Sequence, residues 1–323
     1  MFRKDWKMKS KLALLFMLIV VPLALHAQTA DSANFALVPL GNGAWAAIAK
    51  DGGKAGGNAG FVVGDSGVAV IDTFEDPAAA EELLNAIRGI TKLPIKFVVN
   101  THYHFDHVNG NDVFAAAGAT VFAHRNVSAW IRTENVRLFG EHITPEIKTR
   151  IESLPLPDVT YDDGVDLHSG RTLEVRFFPG HTGGDSIVIV SGAGIAFCGD
   201  LLWKDHFPNL IDASTDKWIA TLSAFQKRFG AYRLVPGHGD VASPKDVTAF
   251  KEYLTDLRAA VKKAEGDGKS GVALVAAVQP ELLSKYGKWA WSKSFARANI
   301  LQTADELAGK KRIPQAAPEN HTH

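Results

Sequence analysis

Apolar residues along this chain come mostly in short runs broken by turn residues, with amphipathic stretches of helical period set between them. Ala44–Ala49 and Gly60–Asp72 read as strands, and the turn Gly64-Asp-Ser-Gly67 folds the second into a hairpin. Pro77–Ile90 reads as a helix capped by Asp76, with proline at its first position. The pattern then predicts a strand over Ile95–Val99, a helix over Val108–Ala117, a strand over Thr120–Ala123 and one amphipathic helical region over Asn126–Ile151. Val159–Val165 and Arg171–Phe178 read as strands, and Ile187–Val190 with Gly194–Cys198 as a hairpin. A helix over Trp218–Phe229, a strand over Tyr232–Val235 and a helix over Pro244–Lys263 follow. From Gly271 onward the chain reads as helical, with Tyr286, Trp289 and Trp291 anchoring it to the body of the protein. Strands and helices interleave, but hairpins are frequent. That argues against a simple doubly wound parallel sheet and for an α/β protein of two mixed sheets with helices outside.

The N-terminus has a different pattern. Arg3, Lys4, Lys7, Lys9 and Lys11 against Asp5 give the first 27 residues a charge of +4, and an apolar run from Leu12 to Leu25 follows. The run is shorter than the roughly 20 residues a membrane-spanning helix needs, which favours a secretory signal cleaved after Ala27 over an anchor. Residues 1–27 are therefore expected to be a signal peptide, 28–270 the main domain and 271–323 a helical extension with a polar tail carrying His321 and His323. The expected location is periplasmic or secreted, with no stable membrane anchor after cleavage. Formal net charge is zero over 323 residues and no basic patch stands out, so nucleic acid is not an expected partner. The one cysteine, Cys198, excludes an internal disulfide and reads as a small buried strand residue rather than a nucleophile.

The chemistry concentrates in Asn100-Thr-His-Tyr-His-Phe-Asp-His107, an H-x-H-x-D-H pattern. Neutral imidazole and carboxylate suit zinc and neighbouring transition metals. Three further segments follow the same grammar, an apolar strand and then a candidate ligand: Pro179-Gly-His181, Gly199-Asp200 and Pro236-Gly-His238. His102 and His104 are two apart in an extended segment and so leave on one side, whereas Asp106 and His107 diverge. Seven candidate ligands exceed one tetrahedral ion, and two ions sharing a carboxylate would use them all. His124, His142, His168 and His206 lack this context and read as structural or exposed. The glycine-rich Lys50–Asn58 lacks the spacing of a phosphate loop. It reads equally as a flexible hairpin tip or as a mobile flap over a site.

The set H-x-H-x-D-H, His181, Asp200 and His238, in this order over roughly Leu37–Phe250, resembles the metallo-β-lactamase superfamily. The resemblance implies an αββα sandwich with a dinuclear site at one edge. His102, His104 and His181 would hold one metal, Asp106, His107 and His238 the other, and Asp200 would bridge. Asp72 matches a strand-end aspartate that supports the ligands from behind. The cofactor implied is two zinc ions, with iron or manganese as alternatives.

Several features resemble the true metallo-β-lactamases with a cysteine ligand: the glycine-rich tip, the stretch Pro208-Asn-Leu-Ile-Asp-Ala213 and the Val235-Pro-Gly-His-Gly239 end. Asn209 matches a residue that helps bind the lactam carbonyl. Lys204 lies one residue beyond the place of a lysine that holds the substrate carboxylate. Asp200 in place of the cysteine, and the additional His107, are instead shared with glyoxalase-II-like thioesterases, lactonases and ribonuclease-type members. The expectation is metal-assisted hydrolysis of a carbonyl–heteroatom bond, with Asp106 orienting the hydroxide and Asn209 helping stabilise the oxyanion. The leading substrate is a β-lactam. The alternatives are a lactone or thioester at the same site and, in a different class, an iron-dependent oxidoreductase such as a persulfide dioxygenase.

Overall fold

The computed structural model describes Met1 and residues 32–315. The proposed signal with its cleavage point after Ala27 lies outside the described residues, as do His321 and His323.

Strands β1 (Phe35–Gly41), β2 (Ala44–Ala49), β3 (Ala59–Val63), β4 (Val68–Ile71), β5 (Ile95–Val99), β6 (Thr120–His124) and β7 (Val159–Tyr161) lie side by side in that order. Pairing is antiparallel from β1 to β4 and parallel from β4 to β7. The second sheet comprises β8 (Gly164–His168), β9 (Thr172–Phe177), β10 (Ser186–Val190), β11 (Ile195–Trp203) and β12 (Arg233–His238), antiparallel except for β11 with β12. Both sheets are mixed, as the frequency of hairpins predicts.

Alternation along the strands explains why the sheets stack. Val62, Ala69, Ile71 and Val99 meet Val175, Val188, Val190 and Phe197 in a core between the sheets. Their neighbours Phe61, Val68, Val70 and Val98 face outward onto α1 (Pro77–Ile90) through Leu83 and Ile87. The remaining helices of the first half are α2 (Phe105–Val108), α3 (Asn111–Ala116), α4 (Arg125–Trp130), α5 (Thr133–Phe139) and α6 (Pro145–Ser153). On the second sheet Ile187, Ile189, Ala196 and Cys198 face outward onto α7 (Thr215–Arg228), α8 (Pro244–Gly266), α9 (Gly271–Tyr286) and α10 (Ser292–Leu307). Three apolar layers thus join helix, sheet, sheet and helix. Leu274, Val278, Leu282, Ala296 and Ile300 of the last two helices belong to the same core as Trp218 and Phe225. Cys198 is fully buried there, and burial pushes its thiol pKa up, as suits a packing residue. No helix of the described residues is long and apolar enough to cross a membrane.

Four sequence expectations need correction. β1 is absent from them because Pro39 interrupts its pattern, yet proline is tolerated on an edge strand, and β1 is an edge. The single helical region over Asn126–Ile151 is three α-helices with a short 3-10 turn, Gly140–His142, between the second and third. Gly140 stops one at a φ of 52°, and Pro145 starts the next with Thr144 capping the Ile147 N–H at 3.2 Å. Val108–Ala117 is split by Gly110, whose backbone lies so close to Thr73 that a Cβ would sit 2.2 Å from its carbonyl oxygen. Val159–Val165 is the crossover between sheets, with β7 in one and β8 in the other.

Phe225 of α7 is 1% exposed in the core against the second sheet, its ring against Phe178 and Phe229 rather than a candidate ligand. Phe225→Ala should cost about 3–5 kcal/mol, seen as a lower denaturation midpoint at unchanged slope.

Candidate metal centre

The H-x-H-x-D-H segment is held before it is used. Asn100 and Asn111 exchange two amide hydrogen bonds at 2.8 and 2.9 Å, fixing the segment between β5 and α3. His104 is the extended residue preceding α2, and Asp106 and His107 lie in its single turn. The two halves of the motif therefore aim at different points, as their spacing predicts.

The structure brings all seven candidate ligands together at the edge where the two sheets end, in two groups: His102, His104, His181 and Asp200, then Asp106, His107 and His238. In the first, His181 Nε2 lies 2.9 Å from His104 Nδ1 and 3.1 Å from Asp200 Oδ2, and His102 Nε2 is 3.6 Å from the same oxygen. In the second, Asp106 Oδ2 is 3.4 Å from His107 Nε2 and 3.3 Å from His238 Nε2. The other oxygen of Asp200, Oδ1, lies 3.1 Å from His107 Nε2 and 3.4 Å from His238 Nε2. One carboxylate thus faces both groups with one oxygen each. A tetrahedral ion with zinc-like bonds would put its ligands about 3.3 Å apart, and the observed separations bracket that value.

A cation fits these residues. His102 Nε2, His107 Nε2 and Asp200 Oδ1 are buried and make no hydrogen bond, a costly arrangement unless an ion occupies the space between them. The charges agree. Burial would raise the pKa of Asp200, but His238, His107 and their neighbours outweigh it and hold it well below the usual range. Burial would likewise lower His238, yet Asp200 and Asp106 raise it to about 9. His104 moves the other way, down to about 3, through burial and then the adjacent His181. The protein alone balances its buried carboxylates with protonated histidines, and a bound ion would do so while leaving imidazole neutral.

Asp72 plays the supporting part expected of it. Its carboxylate accepts from the Thr101 N–H at 2.8 Å and the Thr101 hydroxyl at 2.7 Å, and lies 3.0 Å from His107 Nδ1. That contact places the Nδ1 proton toward Asp72 and leaves Nε2 for the cluster. The glycine before His238 is required by space. A Cβ on Gly237 would lie 1.8 Å from Asp200 Oδ1.

The glycine-rich segment is neither a free tip nor detached from the site. Asn58 N–H donates to Gly237 at 2.7 Å, Asn58 Nδ2 donates to Pro236 and Gly239, and Lys54 N–H donates to Asn34 Oδ1. Gly57 packs so tightly on His107 that a Cβ would come within 2.6 Å of its ring. The segment forms a hydrogen-bonded wall of the centre.

Above the ligands lies a cavity of about 510 Å³ whose lining includes His104, Asp106, Asp200, His238 and Asn209. Asn209 Oδ1 accepts the Ile211 N–H at 3.0 Å, which leaves its Nδ2 for a ligand. Lys204 is placed elsewhere. It borders a neighbouring cavity of about 480 Å³ with Lys50 and His206, and its Nζ donates to the Val241 carbonyl at 3.1 Å. The one-residue offset seen in the sequence turns it away from the main cavity.

Sequence reasoning missed several participants. Trp203 packs on His238 with centroids 4.2 Å apart and the rings tilted by 37°, and its place three residues after Asp200 was the available signal. Tyr103, between two ligands, donates to Asp212, which also accepts from Arg137 at 2.6 Å. Trp291 was read as a packing anchor, and it lines the main cavity instead.

The sequence model of one protein family, the metallo-beta-lactamase superfamily, matches residues 52–238. Hydroxyacylglutathione hydrolases from a Synechococcus strain and from Gloeobacter violaceus are 26% and 30% identical over 170 and 171 residues, covering 50% and 51% of this chain. The alignments cover 56% and 55% of those proteins, so the chain spans about half the length of these curated relatives. The metallo-beta-lactamase type 2 of Bacteroides fragilis is 21% identical over 200 residues, 60% of this chain and 73% of that protein. A solved metallo-beta-lactamase from Pontibacter korlensis shares the fold, with a TM-score of 0.55 at 24% identity over 69% of this chain and 99% of that one. Helices α8 to α10 lie beyond the stretch that the family model matches.

Two outcomes follow from this geometry. Asp72→Ala should weaken metal binding by about 10- to 100-fold in a competition titration against a chromogenic chelator, because His107 loses the partner that orients it. Stripping divalent metal with a chelator should lower the melting temperature, and zinc added back should raise it in a concentration-dependent way.

Proposed function

The chain belongs to the metallo-β-lactamase superfamily, and from that premise we propose that it is a metal-dependent hydrolase acting on a carbonyl–heteroatom bond with two zinc ions. The observation that carries this reading is the single carboxylate of Asp200 set between two groups of imidazole and carboxylate donors. Bound there, the metals would supply an acidified water and polarise the substrate carbonyl.

The residues of the chain do the rest. His102, His104, His181 and Asp200 would hold one ion, and Asp106, His107 and His238 with Asp200 the other. Asp106 is the more exposed of the two ligand carboxylates that line the cavity, its side chain 29% exposed against 2% for Asp200, so it orients the attacking water and takes its proton. Asn209 Nδ2 donates to the substrate oxygen as charge develops on it. Trp203 covers the His238 ring and keeps water from that side of the cluster.

For the substrate we propose first a β-lactam, supported by Asn209 at the cavity and by the glycine-rich wall at Gly56. A thioester or lactone is the second reading. It is favoured by the aspartate at 200, by the buried His107 and by Lys204 bonding to Val241 rather than facing the main cavity. We propose also that the protein acts outside the cytosol, on the strength of the basic and apolar stretch from Arg3 to Leu25.

Zinc-loaded protein assayed on nitrocefin, a carbapenem, γ-lactones and acyl thioesters tests the reading, with metal content measured on the same sample. At least one class should turn over, and Asp106→Ala should lower kcat/KM by about 10²- to 10⁴-fold. Lactone or thioester hydrolysis with both lactams untouched would retire the β-lactam reading. No hydrolysis at two zinc per chain, with iron and oxygen consumption in its place, would overturn the hydrolase reading.

A further inference from the structure

The lining of the main cavity is of two kinds, the candidate ligands His104, Asp106, Asp200 and His238 and a set of apolar side chains. Trp291 and Phe295 form one part of the apolar wall, their ring centroids 6.1 Å apart. Leu138 joins Phe105 and Phe139, which meet edge to face at 5.4 Å, to form another. No lysine or arginine stands among the described residues that line this cavity, whereas Glu75, Asp106 and Asp200 do. The lysines Lys50 and Lys204 border the neighbouring cavity, and the two cavities share Gly56, His238 and Trp291. The apolar part of the lining therefore suits an uncharged group.

Trp291 is set there by its backbone. It adopts a φ of 58°, a left-handed conformation that costs a bulky residue free energy. The chain around it is tied at Ala290, whose N–H donates to Asp205 at 2.8 Å and whose carbonyl accepts from Phe207 at 2.9 Å. The ring lies against His238 at 5.0 Å and Trp203 at 5.5 Å, yet the residue keeps 39% of its surface open. An indole held at this cost, open on the face that lines a cavity of about 510 Å³, is suited to contact a small ligand.

We propose that α10 and the residue before it build an apolar subsite that selects substrates carrying a bulky uncharged group, aryl or alkyl, beside the scissile carbonyl. Trp291 and Phe295 are its specificity-determining residues. The proposal rests on the hydrolase reading for its substrate, though not for the existence of the subsite. Both residues lie beyond the stretch matched by the family model, so the subsite belongs to this chain's C-terminal helices.

Two measurements on the full chain test it. The first compares kcat/KM of the zinc-loaded protein for the acetyl and phenylacetyl thioesters of N-acetylcysteamine, which share a leaving group. The phenylacetyl ester should be preferred by about tenfold or more. Trp291→Ala and Phe295→Ala should each shrink that ratio, mainly through KM, at unchanged zinc content. Phe295 makes no ring contact with a candidate ligand, so Phe295→Ala separates subsite loss from disturbance of His238.

The second measurement needs no turnover: calorimetric titration of metal-free protein with 4-phenylbutan-2-one and with butan-2-one. The phenyl ketone should bind about tenfold tighter or more, and both variants should reduce the difference. Equal binding of the two ketones, or a thioester ratio unmoved in both variants, overturns the proposal. If neither thioester is hydrolysed while the phenyl ketone binds selectively, the subsite stands and the thioester reading falls.

Discussion

Everything about this site depends on one buried carboxylate. Asp200 is 3% exposed, and its two oxygens point to two separate groups of nitrogen and oxygen donors. A lone carboxylate in such a place would protonate, because burial penalises its charge. Here the surrounding imidazoles reverse that and hold it ionised. The backbone is shaped to allow it. The β11–β12 pairing slips in register between Phe197 and Gly199, just before Asp200, and β12 passes so close that position 237 has no room for a side chain. The parallel pairing that puts His238 opposite Trp203 also brings its imidazole to the second oxygen of Asp200. The edge of the sandwich, the glycine and the ligands are parts of one constraint.

That constraint also separates what a sequence discloses from what it conceals. The H-x-H-x-D-H motif is legible because its members are neighbours, and their divergence follows from two residues of extended chain running into a single helical turn. Pro-Gly-His at 181 and 238 is legible because the same three residues follow an apolar run twice, although β12 continues through His238 rather than ending before it. Trp291 was not legible. Its apolar side chain suits packing, and its role depends on a non-local tie between Ala290 and the Asp205–Phe207 segment that no periodicity encodes. Lys204 borders the neighbouring cavity and not the main one for a similar reason. Being near a ligand in sequence says little in a strand end, where one residue of offset turns a side chain to another cavity. Among the elements, β1 and the broken 126–151 region were missed because one proline or glycine changed the local rule inside an otherwise regular pattern.

A second chain of contacts binds the C-terminus to the motif. Tyr103, between His102 and His104, donates to Asp212, which Arg137 also engages. Arg137 reaches Glu134, and Glu134 accepts both arms of Arg312 at 2.8 and 2.9 Å. Lys311 donates to the Ala213 carbonyl, and the Trp130 indole donates to the Gln315 carbonyl. Buried and half-buried ion pairs of this sort add little net stability, since desolvation offsets much of their attraction. Their effect is geometric. They fix the residue between two ligands to the segment that follows α10, so the last described residues of the chain brace the loop that holds the metal-facing histidines.

The same helices that brace the motif line the cavity, and this joins two things usually kept apart. In a fold of this kind the ligand loops fix the chemistry, and variation around them sets what enters. Residues 52–238 contain every candidate ligand, whereas Trp291, Ser294 and Phe295 contribute to the cavity from beyond that stretch. α10 shares its core with the helix that carries Trp218, and Trp218 in turn lies 5.3 Å from the His181 ring, so the wall and the ligands rest on one packed layer. A change in what the cavity accepts is easiest at Phe295, which lines it, whereas Trp218 is buried against the His181 ring and supports the ligands from behind.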